Sequence, residues 1–95
     1  METKVIIIHG NQGGTGNDCW IPWLRTELEK EGFEVLNPTM PDNETAKSSL
    51  WLPYIENELK TDENTILVGW SSGAVAAMRY AETHKILGSV LIGAC

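Results

Sequence analysis

The sequence predicts an α/β fold, a doubly wound parallel sheet with the element order βαβαβαβ. Three observations carry that expectation. Four short apolar runs alternate with segments of helical spacing. The runs are continuous rather than alternating in polarity, the habit of strands covered on both faces. Helical segments between the runs are what parallel crossovers require, and their right-handedness restricts the topology sharply.

The first strand is "KVIIIHG", Lys4 to Gly10, a β-branched run ended by glycine. A polar, glycine-rich loop follows from Asn11 to Asp18. Asp18 is placed to cap the next helix, and Pro22 is tolerated in its first turn. That helix is predicted to run to about Glu31, with Trp20, Trp23, Leu24 and Leu28 at helical spacing and Gly32 as its stop. "FEVLN", Phe33 to Asn37, is a short second strand. A loop punctuated by Pro38 and Pro41 leads to a second helix, roughly Ser48 to Lys60, where Leu52, Ile55 and Leu59 make an apolar stripe and Pro53 lies near the start. "TILVG", Thr65 to Gly69, is the third strand, Gly73 to His84 the third helix, and "GSVLIGA", Gly88 to Ala94, the fourth strand.

Composition narrows the function classes. A chain of 95 residues bounds one small domain, and 42% hydrophobic with 21% charged residues describes a globular protein rather than a disordered one. Seven Lys and Arg against thirteen Asp and Glu give a net charge of −6, with no basic cluster. Nucleic acid and anionic membranes are therefore not expected partners. No run approaches a membrane span, and no cleavage-site pattern follows Met1. Cys19 and Cys95 form neither a metal spacing nor a disulfide framework. Two free thiols and a cytoplasmic location are the expectation.

The chemistry concentrates in "GWSSG", Gly69 to Gly73, between an apolar run and a helical one. A nucleophilic serine in G-x-S-x-G sits on a tight strand-to-helix turn, where glycines remove side chains that would collide. Ser71 is the central residue, so it is the candidate nucleophile, with Gly69 and Gly73 as the elbow glycines. Small Ala74, Ala76 and Ala77 let the helix approach the sheet. The backbone N–H of Ser72 falls at the helix N-terminus, a suitable first donor of an oxyanion hole. The alternative is a turn serine without chemistry.

The loop "HGNQGGTG" admits several readings. A dinucleotide G-x-G-x-x-G started at Gly14 fails, because Cys19 stands at the last glycine and the second strand ends in Asn37 rather than a carboxylate. No Lys-Ser/Thr follows, so a P-loop fails too. A second oxyanion donor fits better, from a backbone N–H near Asn11 or Gln12; a plain surface loop is the alternative. His9 is a candidate base at the end of the first strand, although a histidine there more often packs or hydrogen-bonds beneath the loop. His84 lies a helix length from Ser71 and reads as a surface or C-terminal capping histidine.

With these residues in place, the chain resembles the small serine hydrolases, a compact branch of the α/β-hydrolase fold. The resemblance rests on "GNQGG", "NPTMPDNETAKSSLWLPYIENEL", "TILVG" and "SSGAVAAMRYAETH" and spans nearly the whole chain. It implies Ser71 as nucleophile, an open sheet with strand order 2-1-3-4, no cofactor, and an acyl-enzyme formed from a small ester or amide. "MPD", Met40 to Asp42, and "SLWLP", Ser49 to Pro53, read as packing and loop-shaping segments.

Three departures qualify the resemblance. Trp70 stands beside Ser71 where relatives carry histidine, which reshapes the pocket floor and leaves the glycine frame intact. The family includes a retinoblastoma-binding member, which implies an L-x-C-x-E segment. Here that stretch is Leu59-Lys60-Thr61-Asp62-Glu63, with Thr61 at the cysteine, so retinoblastoma-protein binding is not expected. Finally, the hydrolase triad follows the order Ser, acid, His, yet no histidine but His84 follows Ser71. Residues 1–95 are thus expected to be the N-terminal part of a single hydrolase domain, incomplete at its C-terminus. The competing expectation is an inactive hydrolase fold that serves as a binding protein. The fourth strand would then be a bare edge open to self-association.

Overall fold

The computed structural model describes residues 3–93; Ala94 of the expected fourth strand and Cys95 lie outside them. Four strands, β1 (Lys4–Ile8), β2 (Glu34–Leu36), β3 (Thr65–Trp70) and β4 (Gly88–Ile92), alternate with helices α1 (Ile21–Lys30), α2 (Ser48–Pro53) and α3 (Ser72–Thr83). The sheet order is β2-β1-β3-β4 and every pairing is parallel. Val5 pairs with Val35 on one side and with Ile66 on the other, which places β1 and β3 side by side as expected.

Alternation along the strands supplies both cores. Val5 and Ile7 face one way, joining Val35, Val68 and Ile21 of α1. Ile6 and Ile8 face the other way, against Leu67, Trp51 of α2 and Ala76, Ala77 and Tyr80 of α3. Helices therefore cover both faces of a sheet whose central strands are apolar throughout. Met40 and Trp51 are buried in the second core, so the "MPD" and "SLWLP" segments do pack. Asp42 shapes its loop from a positive φ of 46°, accepting hydrogen bonds from the Thr45 hydroxyl and the Lys47 amide.

Gly32 ends α1 as the sequence predicts. At φ 93° it allows its own N–H to reach the Glu29 carbonyl (3.1 Å) and that of Phe33 to reach Leu28 (3.2 Å), closing the helix with a left-handed turn.

Three local expectations are corrected. Asp18 does not cap α1 through its side chain: it accepts from the Thr15 amide and the Thr15 hydroxyl, both at 2.9 Å, and closes the preceding loop. Trp23 is 66% exposed, because the inward face of α1 is buried Ile21 with partly buried Leu24 and Leu28, and position 23 falls outside that face. The second helix does not continue regularly to Lys60. It yields after Pro53 to a π-helical turn, Tyr54–Glu58, in which the Leu59 N–H reaches back to the Tyr54 carbonyl at 3.1 Å. Pro53 has no N–H for the carbonyl of Ser49, and its ring crowds that carbonyl, so the chain widens there. Ile55 and Leu59 still reach the core, with Leu52 packed at its margin.

Candidate active site

β3 and α3 meet at Ser71. Its backbone lies at φ 58°, ψ −118°, a region that non-glycine residues rarely enter. Such a conformation costs on the order of 1–3 kcal/mol and is held by its surroundings. One restraint is the Ser71 N–H, which donates to the Ile92 carbonyl at 2.9 Å; another is the Ser71 carbonyl, which accepts from Ala74 at 2.9 Å. The flanking glycines are sterically required. A Cβ on Gly69 would overlap the Gly73 carbonyl, and one on Gly73 would overlap the Ile8 carbonyl. Strand, turn and helix therefore meet backbone to backbone.

Gly73→Ala tests this contact by its sign. Helix propensity alone favours alanine by about 1 kcal/mol. Overlap with the β1 backbone should instead destabilise the fold by on the order of 3 kcal/mol, read as a lower urea midpoint. An unchanged or raised midpoint would show that the close approach is not real.

A cavity of about 170 Å³ opens over this turn, lined by Gly10, Asn11, Gln12, Gly14, Asp18, Trp70 and Ser71. The structure thus brings the loop candidates and Ser71 to one place. Ser71 sits over Gly10, 3.7 Å separating its Oγ from the point where a Gly10 Cβ would stand. Ser72 occupies the first helical position, where an N–H has no partner within the helix. The other two oxyanion candidates divide. Gln12 N–H donates to the Glu44 carbonyl at 3.0 Å and is engaged. Asn11 N–H has no partner among the described residues. Of the two expected loop donors, the Asn11 N–H is thus the one left open to the cavity, while that of Gln12 is tied to Glu44.

His9 is fully buried with both ring nitrogens engaged. Met40 N–H donates to Nε2 at 2.8 Å, so Nδ1 carries the proton and donates to the Gly10 carbonyl at 2.6 Å. The ring also meets Trp51 edge to face, with centroids 5.5 Å apart. His9 is a structural support beneath the loop and not a free base. His84 lies past the far end of α3, stacked on Tyr80 with centroids 3.9 Å apart and 3.0 Å from Glu56 Oε1. Burial, with Glu56 as a smaller contributor, pushes the Tyr80 phenol above its usual range. Neither histidine hydrogen-bonds to Ser71.

One feature of the cavity was not foreseen, the place of Asp18; Trp70 was expected at its floor. Asp18 is on its wall, and hydrogen bonds from the Thr15 amide and then the Thr15 hydroxyl hold its carboxyl below the usual range. Trp70 packs against Trp20 with centroids 5.6 Å apart, which fixes one side of the cavity. The sequence marks Asp18 as a polar loop residue without indicating that it shares a wall with Ser71. Among the described residues, no group of three or more His, Cys, Asp or Glu could hold a metal ion.

Comparison with known proteins places this geometry. A family profile described as serine hydrolase matches residues 5–94. The chain is 50% identical over 94 residues to serine hydrolase RBBP9 of Rattus norvegicus, a match that covers 97% of this chain and 50% of the rat protein. The crystal structure of the ydeN gene product from B. subtilis superposes with a TM-score of 0.79 at 29% identity, over 94% of this chain and 50% of that one. An extracellular α/β-hydrolase from a Paenibacillus species shares the fold, with a TM-score of 0.69 at 20% identity over 94% of this chain and 39% of its own. The chain spans about half the length of the rat relative it matches. By profile, identity and fold, it belongs to the serine hydrolase family.

Proposed function

We propose that this chain carries the nucleophile half of a cofactor-free serine hydrolase acting on small esters or amides. The observation that carries the reading is Ser71, held at φ 58° between two glycines that admit no side chain, in one cavity with the Asn11 amide. In this reading the Ser71 hydroxyl attacks the substrate carbonyl. Negative charge developing on the carbonyl oxygen is met by the N–H groups of Asn11 and Ser72. The leaving group departs with a proton, an acyl-enzyme remains on Ser71, and water releases the acid. In this reading the base that moves those protons is neither His9, which is engaged, nor His84, which is remote.

The engagement of His9 and the remoteness of His84 favour a second reading, a hydrolase fold without catalysis that acts through binding. A fluorophosphonate probe separates the two. Labelling that is lost in Ser71→Ala, and that rises when imidazole is added as a diffusible base, supports the hydrolase. No Ser71-dependent labelling under either condition supports the binding protein.

Other parts of the setting follow the same lines. Among the described residues, no helix is long and apolar enough to cross a membrane. Cys19 is an exposed free thiol, in keeping with a reducing cytoplasm. Retinoblastoma-protein binding through residues 59–63 is not expected. Leu59 is buried in the core, and the Thr61 hydroxyl donates to the Ile55 carbonyl at 2.7 Å, so the first motif position is not presented to a partner. A pull-down with the retinoblastoma pocket should recover no more of this chain than of its Glu63→Ala variant. Capture that Glu63→Ala abolishes would contradict the expectation.

A further inference from the structure

A second, larger cavity of about 260 Å³ lies beside the serine turn, lined by Thr45, Ala46, Trp51, Ser72, Val75, Ala76 and Arg79. Ser71 lines one cavity and its neighbour Ser72 the other, so the two flank the first turn of α3. Residues 72, 75, 76 and 79 share one helical face, at spacings of three, four and seven. Along that face, Arg79 stands seven residues from Ser72, about 10 Å of helix rise.

The electrostatics of the two cavities differ. Arg79 has no ion pair or hydrogen bond among the described residues, whereas Arg25 is held by Glu29 and Asn37. Glu82, one turn beyond Arg79, forms no ion pair with it. Asp42 stands behind Thr45, with its Oδ2 engaged by the Thr45 hydroxyl and the Lys47 amide. The Ser71 cavity, in contrast, holds the ionised Asp18. An unpaired guanidinium at one end of a groove lined by Val75, Ala76 and Trp51 together with the hydroxyl residues Thr45 and Ser72, with a carboxylate at the reacting end, orients a ligand by charge.

We propose that the larger cavity is a carboxylate subsite, selecting small esters whose far end carries a carboxylate roughly two helical turns from the reacting carbonyl. Arg79 binds the carboxylate. Val75, Ala76 and Trp51 cover the apolar body. Asp18 repels the reverse orientation. As a specificity determinant this rests on Ser71 being the reacting residue, but the binding itself requires no chemistry.

Isothermal titration calorimetry on the 95-residue chain tests it with monomethyl suberate, dimethyl suberate and monomethyl malonate. Monomethyl suberate should bind roughly tenfold tighter than the neutral diester, as a charged hydrogen bond implies. It should also bind tighter than the short malonate. Arg79→Gln should erase the preference for the charged probe, and Arg79→Lys should keep part of it. Both changes lie on an exposed helix position and should leave the fold intact. Ser71→Ala should bind like the parent, so a failed hydrolase assignment would leave this result standing. No binding of monomethyl suberate at millimolar concentration, equal affinity for the two suberates, or a preference that survives Arg79→Gln would overturn the subsite.

Discussion

Purified 1–95 should hydrolyse p-nitrophenyl acetate no faster than its Ser71→Ala variant. The reason lies in the two histidines. A serine hydroxyl is a weak nucleophile until a base takes its proton, and the leaving group needs an acid. His9 can do neither, because its Nε2 accepts from Met40 and its Nδ1 donates to Gly10. His84 is separated from Ser71 by the whole of α3. Loss of triad partners in serine hydrolases lowers the rate on the order of 10⁴- to 10⁶-fold, leaving the contribution of oxyanion donors and binding. A stopped-flow or plate assay at matched protein concentration reads the difference. A Ser71-dependent rate near that of ordinary esterases would contradict the expectation and make His9→Ala the next variant to test.

The second large effect concerns association. β4 pairs with β3 on one side, and among the described residues nothing pairs with its other side. Its residues Gly88 to Ile92 carry no charge, and Val90, Leu91 and Ile92 are 49%, 41% and 37% exposed. Val90 and Ile92 also form one wall of an apolar cavity of about 330 Å³, completed by Val5, Leu24, Leu28, Phe33, Ile66 and Val68. An uncharged apolar edge is a template for another strand. Sedimentation velocity should therefore show concentration-dependent dimers or larger species at micromolar concentration. The double change Val90→Lys, Ile92→Lys places charge on the edge and should return the chain to a monomer. A parent chain that stays monomeric across the same range would contradict this reading of the edge.

How much of this was legible in the sequence follows from range. Strand identity and helix stops depend on neighbours, so the apolar runs of β1 and β3 and the left-handed Gly32 stood out. The G-x-S-x-G frame was equally local, which is why the position of Ser71 between β3 and α3 could be foreseen. What failed turned on which of several available partners each group took. Gln12 could be recognised as engaged only once the loop containing Glu44 lay against it. Asp18 looked like a helix cap because caps are local, yet Thr15 offered two donors and took it. Pro53 was placed within a helix, but the widened turn that relieves it required Ile55 and Leu59 to remain in the core. Strand order came from resemblance, since hydrophobic pattern alone does not say which apolar runs lie side by side.

The most direct measurement is peptide-mapping mass spectrometry of the chain after exposure to a fluorophosphonate in increasing imidazole. Ser71 should carry a single phosphonyl adduct, formed slowly without imidazole and faster as imidazole supplies the missing base. Denatured protein should form none, because the adduct depends on the strained turn and on the Asn11 and Ser72 amides. An adduct on Ser72 or another serine, or none on Ser71 at any imidazole concentration, would contradict Ser71 as the nucleophile.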